Sequence, residues 1–592
     1  MNTLAGMAFD DLSAFFKKNG SSLQDEHETV LKSFLSVLEQ GLKGELEPSY
    51  YLLSLDPGMG KTSAIINFIK AWHEANYQPA SSILVGVSTL SELRTLIESV
   101  GLPSTDFGVR TRDEDLNALG LPESRHQEAK VLFTTQAMIR SRTKGKQFAE
   151  TSEFHFHDRP RSLRLWDEEI LPAAGVVLRR DDLLTLTSPL RPQFPEFVDE
   201  LEVLAKAMMT YPEGTTVPIP LSLNLTSGAT YRASSSITGN GPAETFEKLQ
   251  LMVASEMLLQ HDERYGRVLV GSSPTLPDDI KPLIVVDASG RVRTTYKLWE
   301  EHRGDLVRLD SAGVSFHDLN IHLWKRSAGK TELADAAARS EIADALAEAF
   351  QRDPEGDWLI VTYKDTIEDL KRAVSRACDP SATPSLHWLN WGRHHSTNEF
   401  READNIVIVG QRTYRTCDYL GLTLAAKGLD IDTDDLPETS ETRSGEHQHH
   451  LLQAVCRAAV RKSDNGTAGR CNAYLITSIG DAERVLEEVF PGYNLIPWKD
   501  DAAPSGYVGD AIRFLEDQLS DPTVDEVTKE SLRDAIGMRH AASLSPNVLR
   551  KEVFRQYLAD NQLEAVGQVI RLTCPVSRNP REQPPAFQNR WI

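Results

Sequence analysis

The chain has 592 residues and a formal charge of −22, from 64 Lys and Arg against 86 Asp and Glu, with charged residues at 25% and apolar ones at 40%. These values exclude disorder of the whole chain, leave room for about four domains, and speak against a protein that simply coats nucleic acid. No apolar run reaches the roughly 18 residues of a spanning helix. The N-terminus lacks a signal-peptide pattern, and Cys378, Cys417, Cys456, Cys471 and Cys574 form no CxxC pair, which together fit a reducing cytoplasm and argue against disulfides or a zinc site.

Residues 1–45 read as helical, with apolar residues at 30, 31, 34, 35, 37 and 38 on one stripe of 25–43. The segment 50–54 (YYLLS) is a buried strand that runs into a glycine-rich loop and a helical pattern. A strand at 82–87, a helix at 91–99 and a strand at 130–134 follow, and this alternation predicts a parallel sheet over 46–174. Longer helical stretches at 195–209 and 243–261 predict a helical insertion over 175–265, after which the strand 282–287 resumes the first sheet within 266–325. A helix at 331–351 opens a second strand-helix series over 326–498, with strands at 357–362, 386–391, 405–409 and 472–477 and an acidic loop at 430–446. Residues 499–592 read as a helical C-terminal region with a Pro-rich tail. In it Val527–Gly537 and Asn547–Asn561 would form a helix-turn-helix or winged-helix pair, with Arg550, Lys551 and Arg555 on the second helix. The fold class is therefore α/β, two tandem P-loop-type domains with a helical insertion and a helical C-terminal region.

The strongest local signal is Asp56-Pro57-Gly58-Met59-Gly60-Lys61-Thr62-Ser63 between strand and helix. Its glycines let backbone N–H groups turn inward around phosphate oxygens at a helix N-terminus. Pro57 to Ser63 are the expected nucleotide contacts, with Lys61 reaching the β/γ-phosphates and Thr62 ligating Mg²⁺. The strict pattern has glycine where this chain has Leu55. A P-loop enzyme also needs a carboxylate on Mg²⁺ and a group that orients water. Leu163-Arg164-Leu165-Trp166-Asp167-Glu168-Glu169 offers both, Asp167 for the metal and Glu168 for the water, although arginines at 161 and 164 make a poor strand.

The order of LDPGMGKT, Asp167-Glu168 and the downstream run Gln453-Ala454-Val455-Cys456-Arg457-Ala458-Ala459-Val460-Arg461 resembles superfamily-two helicases and translocases. In that family two RecA-like lobes sandwich ATP, nucleic acid lies across both, and a Q-x-x-G-R-x-x-R helix supplies arginines to the transferring phosphate. Gln453 and Arg457 match by spacing. Cys456 replaces the glycine, and the second arginine falls one position late at Arg461. The resemblance implies an ATPase motor with ATP and Mg²⁺, catalytic residues Lys61, Asp167, Glu168, Gln453, Arg457 and Arg461, and a nucleic-acid track, DNA ahead of RNA. It also implies nucleic-acid backbone contacts at the strand ends Ser88-Thr89 and Thr134-Thr135-Gln136, coupling of hydrolysis to lobe movement at Asp287-Ala288-Ser289, and substrate-strand and ATP contacts at Thr362-Tyr363-Lys364 and Gly392 with Asn398-Glu399-Phe400.

Three basic clusters would suit a groove along a nucleic-acid backbone: Arg140, Arg142, Lys144 and Lys146; Arg159, Arg161 and Arg164; and Arg291, Arg293 and Lys297, with Tyr296 as a stacking ring. His155-Phe156-His157 and His447-Gln448-His449-His450 supply too few ligands for a tetrahedral metal centre. Two other readings stay open: a P-loop switch whose insertion and C-terminal region bind protein, and a subunit that holds ATP without turning it over.

Overall fold

The computed structural model describes residues 3–572 apart from Pro79, Glu263, 380–383, 393–398, 429–437, 480, 500–505, 521–523, 525, 539, 552, 553, 556, 559, 560 and 562. Asn398, residues 430–437 of the acidic loop, Cys574 and the Pro-rich tail lie outside the described residues. The chain divides into two compact units: Met1–Ile321 with Gly329–Ala473 and Gly480–Asn494, and His322–Ala328 with Tyr474–Ile479 and Leu495–Ile592.

The first unit begins with helices Leu4–Lys18 and Asp25–Lys43; the second carries Asp25, Glu26 and Glu28 in its first turn and ends at left-handed Gly44. The strands that follow are short apolar runs: β1 (Tyr50–Leu53), β2 (Ile83–Val87), β3 (Phe107–Arg110), β4 (Val131–Thr135) and β5 (Leu163–Asp167). Four strands belong to the insertion, β6 (Ala173–Arg179), β7 (Thr216–Pro218), β8 (Glu256–Asp262) and β9 (Gly266–Pro274), before β10 (Leu283–Val286) and β11 (Leu306–Arg308) return to the first sheet. That sheet has the order β11-β1-β10-β5-β2-β4-β3, and every pairing is parallel. Its central strands are buried on both faces, which is why they read as unbroken apolar runs. Leu53 lies beside Val286 and Val286 beside Asp167, so the loops after β1, β10 and β5 leave the sheet at one edge. Ligands bind at such carboxyl ends of parallel strands.

The insertion is mixed rather than all helical. The stretch 243–261 is helix only over Asn240–Met252 and then becomes strand β8. A short apolar run such as Met257-Leu258-Leu259 fits either period, so the sequence pattern did not separate them. Its sheet is antiparallel, in the order β6-β9-β8-β7. One face buries Leu178 and Leu269 against Leu201 and Leu204 of helix Pro195–Thr210 and Phe246 and Leu249 of helix Asn240–Met252. The other face packs Leu258, Val268 and Val270 on Cys417, Leu420 and Leu424 of helix Thr416–Lys427. Backbones touch there: a Cβ on Gly175 would lie 2.6 Å from the Gly421 carbonyl carbon.

The second series contributes β12 (Leu319–Lys325), β13 (Asp357–Thr362), β14 (Ser385–Asn390), β15 (Asn405–Val409), β16 (Cys471–Thr477) and β17 (Asn494–Pro497), in the order β14-β13-β15-β16-β12-β17. β13 pairs in parallel with both β14 and β15. The predicted helix 331–351 is two helices, because the Asp335 side chain accepts from Ala338 N and starts the second.

In the second unit, helix Gly506–Ser520 precedes β18 (Glu526–Thr528), helix Lys529–Ala535 and helix Ala541–Leu544, which continues as one wide turn over Ser545–Leu549. Strands β19 (Leu563–Val566) and β20 (Val569–Leu572) close an antiparallel sheet in the order β18-β20-β19. The second helix of the predicted pair therefore starts earlier than Asn547. Among the described residues no helix is long and apolar enough to cross a membrane.

Candidate nucleotide site

Gly58 and Gly60 hold φ of 90° and 84°, which side chains resist, and helix Lys61–Glu74 starts directly after them. Leu55 takes no positive φ and is fully buried, so the loop turns without a glycine there. Lys61 Nζ donates to the loop's own Leu55 and Asp56 carbonyls. Burial pushes its ammonium down to about 8, with Arg461 acting in the same sense. Asp56 is anchored by Arg291 Nε at 2.8 Å and by Val314 N at 3.0 Å.

Asp167 ends β5, and Thr62 Oγ1 donates to its Oδ2 at 3.4 Å. Gln136 Nε2 donates to the Asp167 carbonyl at 2.6 Å and fixes the strand end. Burial lifts the Asp167 carboxyl to about 6, with Glu92 adding to it and Lys61 opposing. Glu168 takes φ +86°, a costly conformation for a side-chain-bearing residue, and its N–H donates to Val286 O at 2.9 Å. Burial holds its carboxyl well above the usual range; Glu92 adds to that and Arg457 opposes it. Glu92 accepts from Ser88 and Thr89, so those hydroxyls serve the cap of helix Leu90–Val100. Thr62 and Asp167 offer two hard oxygens beside a carboxyl short of positive charge, a donor set that fits Mg²⁺ completed by water and phosphate oxygens.

Helix Ser440–Val455 brings Gln453, whose Oε1 accepts from Arg457 Nη2 at 3.0 Å, and Arg457 stands 4.0 Å from Glu168 Oε1. The helix ends at Val455, and a 3₁₀ turn over Ala459–Arg461 follows. Helical register is lost between the two arginines, and Arg461 reaches the phosphate loop in spite of its late position. Its carbonyl closes on Gly58: a Cβ there would lie 2.0 Å from Arg461 O. The loop's other side is covered by residues that no motif marked. His27 Nε2 lies 2.8 Å from Met59 O, and a Cβ on Gly60 would lie 2.5 Å from the Phe16 ring. Their positions come from the packing of the N-terminal helices, which leaves no local signature.

A buried bridge joins the two series. Arg293 donates to both oxygens of Glu446, at 2.5 and 3.0 Å, and to Glu169, which also lies 3.3 Å from His449 Nε2. Asp287 accepts from Ser289 and from Tyr296 OH at 2.7 Å. Tyr296 is fully buried and cannot stack on a base, Arg293 is spent on the bridge, and Arg291 is spent on Asp56 and two carbonyls. Arg291, Arg293 and Tyr296 of that basic cluster are therefore structural, contrary to the sequence expectation, and Lys297 alone of it is exposed. Two of the second cluster are structural as well: Arg161 is fully buried and donates to the carbonyls of Phe154, Ala129, Lys130, His126 and His155, and Arg164 packs over Phe148, while Arg159 is exposed. In the first cluster Arg140 lies over Trp166, whereas Arg142, Lys144 and Lys146 are exposed. Thr134 donates to Arg110 O, Thr135 caps the helix Gln136–Thr143, and Tyr363 OH donates to Gln411 O, so these strand-end groups are engaged within the protein. The run His447–His450 is buried in helix Ser440–Val455, and no group of three or more His, Cys, Asp or Glu gathers at ligand spacing among the described residues.

No protein family and no characterised protein matches the sequence. Among solved structures, Xpd4 from S. tokodaii is similar over 79% of this chain and 100% of its own, at 12% identity and a TM-score of 0.44. S. cerevisiae Dbp5 bound to RNA and ADP BeF3 is similar over 83% and 96%, at 9% identity and a TM-score of 0.35. The Mycobacterium smegmatis helicase Lhr bound to ssDNA and AMP-PNP is similar over 96% and 60%, at 11% identity and a TM-score of 0.33. Overlaps this loose add nothing to the reading of the site. Its strand order, its phosphate loop and its second strand-helix series make the chain an α/β protein of two tandem lobes.

Proposed function

We propose that the protein is an ATP-driven motor of the helicase type that moves on or remodels nucleic acid, DNA ahead of RNA. The observation that carries this reading is the convergence of Thr62, Asp167, Glu168 and Arg457, drawn from both lobes, around one phosphate loop. ATP would lie with its phosphates on the N–H groups of Gly58 to Ser63, and Lys61 would leave its carbonyls for the β/γ-phosphates. Thr62 and Asp167 would hold Mg²⁺, which when bound neutralises phosphate charge. Glu168, kept basic by its apolar setting, would take the proton of the attacking water. Arg457, released from Gln453, would meet charge on the transferring phosphoryl group, with Arg461 beside Lys61. Turnover would then reset the lobes' grip on the strand.

The test is steady-state ATP hydrolysis with and without single-stranded DNA, duplex DNA and RNA, with Lys61→Ala as the blank. Stimulation by one nucleic acid supports the motor and identifies its track. Turnover indifferent to all three refutes it in favour of a protein-directed switch, and tight nucleotide binding without turnover would select the ATP-holding subunit.

A further inference from the structure

We propose that the second unit carries a winged helix that grips duplex DNA through helix Ala541–Leu549, the cations Arg550, Lys551 and Arg555, and the β19–β20 hairpin. Its element order is helix, strand, helix, helix, strand, strand, and the first strand pairs with the last in the three-stranded sheet. That arrangement places helices Lys529–Ala535 and Ala541–Leu549 as a helix-turn-helix, with the hairpin Leu563–Leu572 beside it as the wing. The module has its own core: Leu544, Val548 and Phe554 are buried with Leu515, Leu532 and Ile570. Lys529 Nζ donates to Gly567 O at the hairpin turn and ties the wing to the first helix of the pair.

Asn547 on the second helix, Arg550 at its C-cap, and Lys551 and Arg555 beyond it are all exposed. Lys551 and Arg555 stand one turn apart, since Arg555 N donates to Lys551 O at 3.0 Å. Charge in this unit is distributed unevenly. Arg513 pairs with Asp510, Arg533 with Glu530 and Asp534, and Arg571 with Glu564. Arg550, Lys551 and Arg555 pair with no carboxylate among the described residues. Exposed cations that follow the second helix closely, in a chain of net charge −22, are complementary to a polyanion. A helix of this kind fits the major groove of B-form DNA, about 12 Å wide, and not the deep, narrow major groove of duplex RNA. The three cations would take phosphates flanking the groove, with Asn547 nearest the base edges. This goes beyond the ATPase reading and does not depend on turnover.

The test uses the full chain without nucleotide, with binding of a short DNA duplex followed by fluorescence anisotropy across a salt series. The triple variant Arg550→Ala/Lys551→Ala/Arg555→Ala should bind about a hundredfold more weakly at about 0.15 M salt, with the log–log salt slope smaller by about 3. Its far-UV spectrum and thermal midpoint should match the wild type, because all three side chains are exposed. Lys61→Ala should keep duplex binding while losing turnover, so the two readings fail separately. The proposal is overturned if the wild-type chain does not bind duplex DNA, if the triple variant keeps its affinity and slope, or if duplex RNA binds as tightly as duplex DNA.

Discussion

Replacing Asp167 with Asn perturbs the site in a way that stability reports as well as turnover. Burial moves the Asp167 carboxyl from 3.8 to about 6. At about 1.4 kcal/mol per pH unit, ionising it inside the folded protein costs about 3 kcal/mol. The unfolded chain ionises at the lower value, so this cost is absent below about pH 4, grows between 4 and 6, and is complete above 6. Asn removes the charge and can still accept from Thr62 Oγ1. Asp167→Asn should therefore unfold at higher urea than the wild type at pH 7.5, by about 3 kcal/mol in the transition of the unit that holds the site. The gain should disappear near pH 4. Mg²⁺ with a non-hydrolysable ATP analogue should stabilise the wild type and not the variant, and the variant's ATP turnover should fall to the Lys61→Ala level. A variant no more stable than the wild type at pH 7.5 would refute the reasoning, because the carboxylate would then already be compensated where it sits.

Glu168→Gln should keep nucleotide affinity while lowering turnover by about a hundredfold or more in a phosphate-release assay. Arg457→Ala should cost about a thousandfold in turnover with Kd for ATP little changed, measured by single-turnover kinetics and equilibrium binding. The pH profile of kcat/KM should rise on an acid limb as Asp167, lifted to about 6, and the raised Glu168 carboxyl ionise, and fall near 8, as Lys61 loses its proton. Arg161→Met should destabilise the first lobe by about 3 to 5 kcal/mol in denaturant, because it strands carbonyls that five hydrogen bonds now satisfy.

The parts of the site legible in the sequence are those whose chemistry is local. Gly58, Gly60, Lys61 and Thr62 announce a phosphate loop because glycine and cation must follow a strand at fixed spacing. The strand ending at Asp167 looked poor because Arg161 and Arg164 read as solvent-facing charges; both are buried by partners far away in sequence, and nothing local marks that. For the same reason Arg293 and Tyr296 passed for groove residues. Glu92 stands three positions after the cap Thr89, and its influence on Asp167 and Glu168 comes from the parallel pairing of β2 with β5, which no local pattern shows. Phe16 and His27 carry no motif at all. The strands of the insertion were missed because helical and extended periods coincide over runs as short as Met257-Leu258-Leu259.

The glycine-to-glycine contact of the insertion has a mechanical consequence. The excursion leaves the first lobe after Asp167 and returns before β10, yet its sheet rests on helix Thr416–Lys427 of the second, with Gly175 against Gly421 and no side chain between them to act as a bearing. Any stroke that parts the lobes must either peel this apolar seam open or carry the insertion along as a strut. A bulky residue at Gly421 would act as a wedge in that joint, pressing on the Gly175 backbone without touching a single group that handles phosphate.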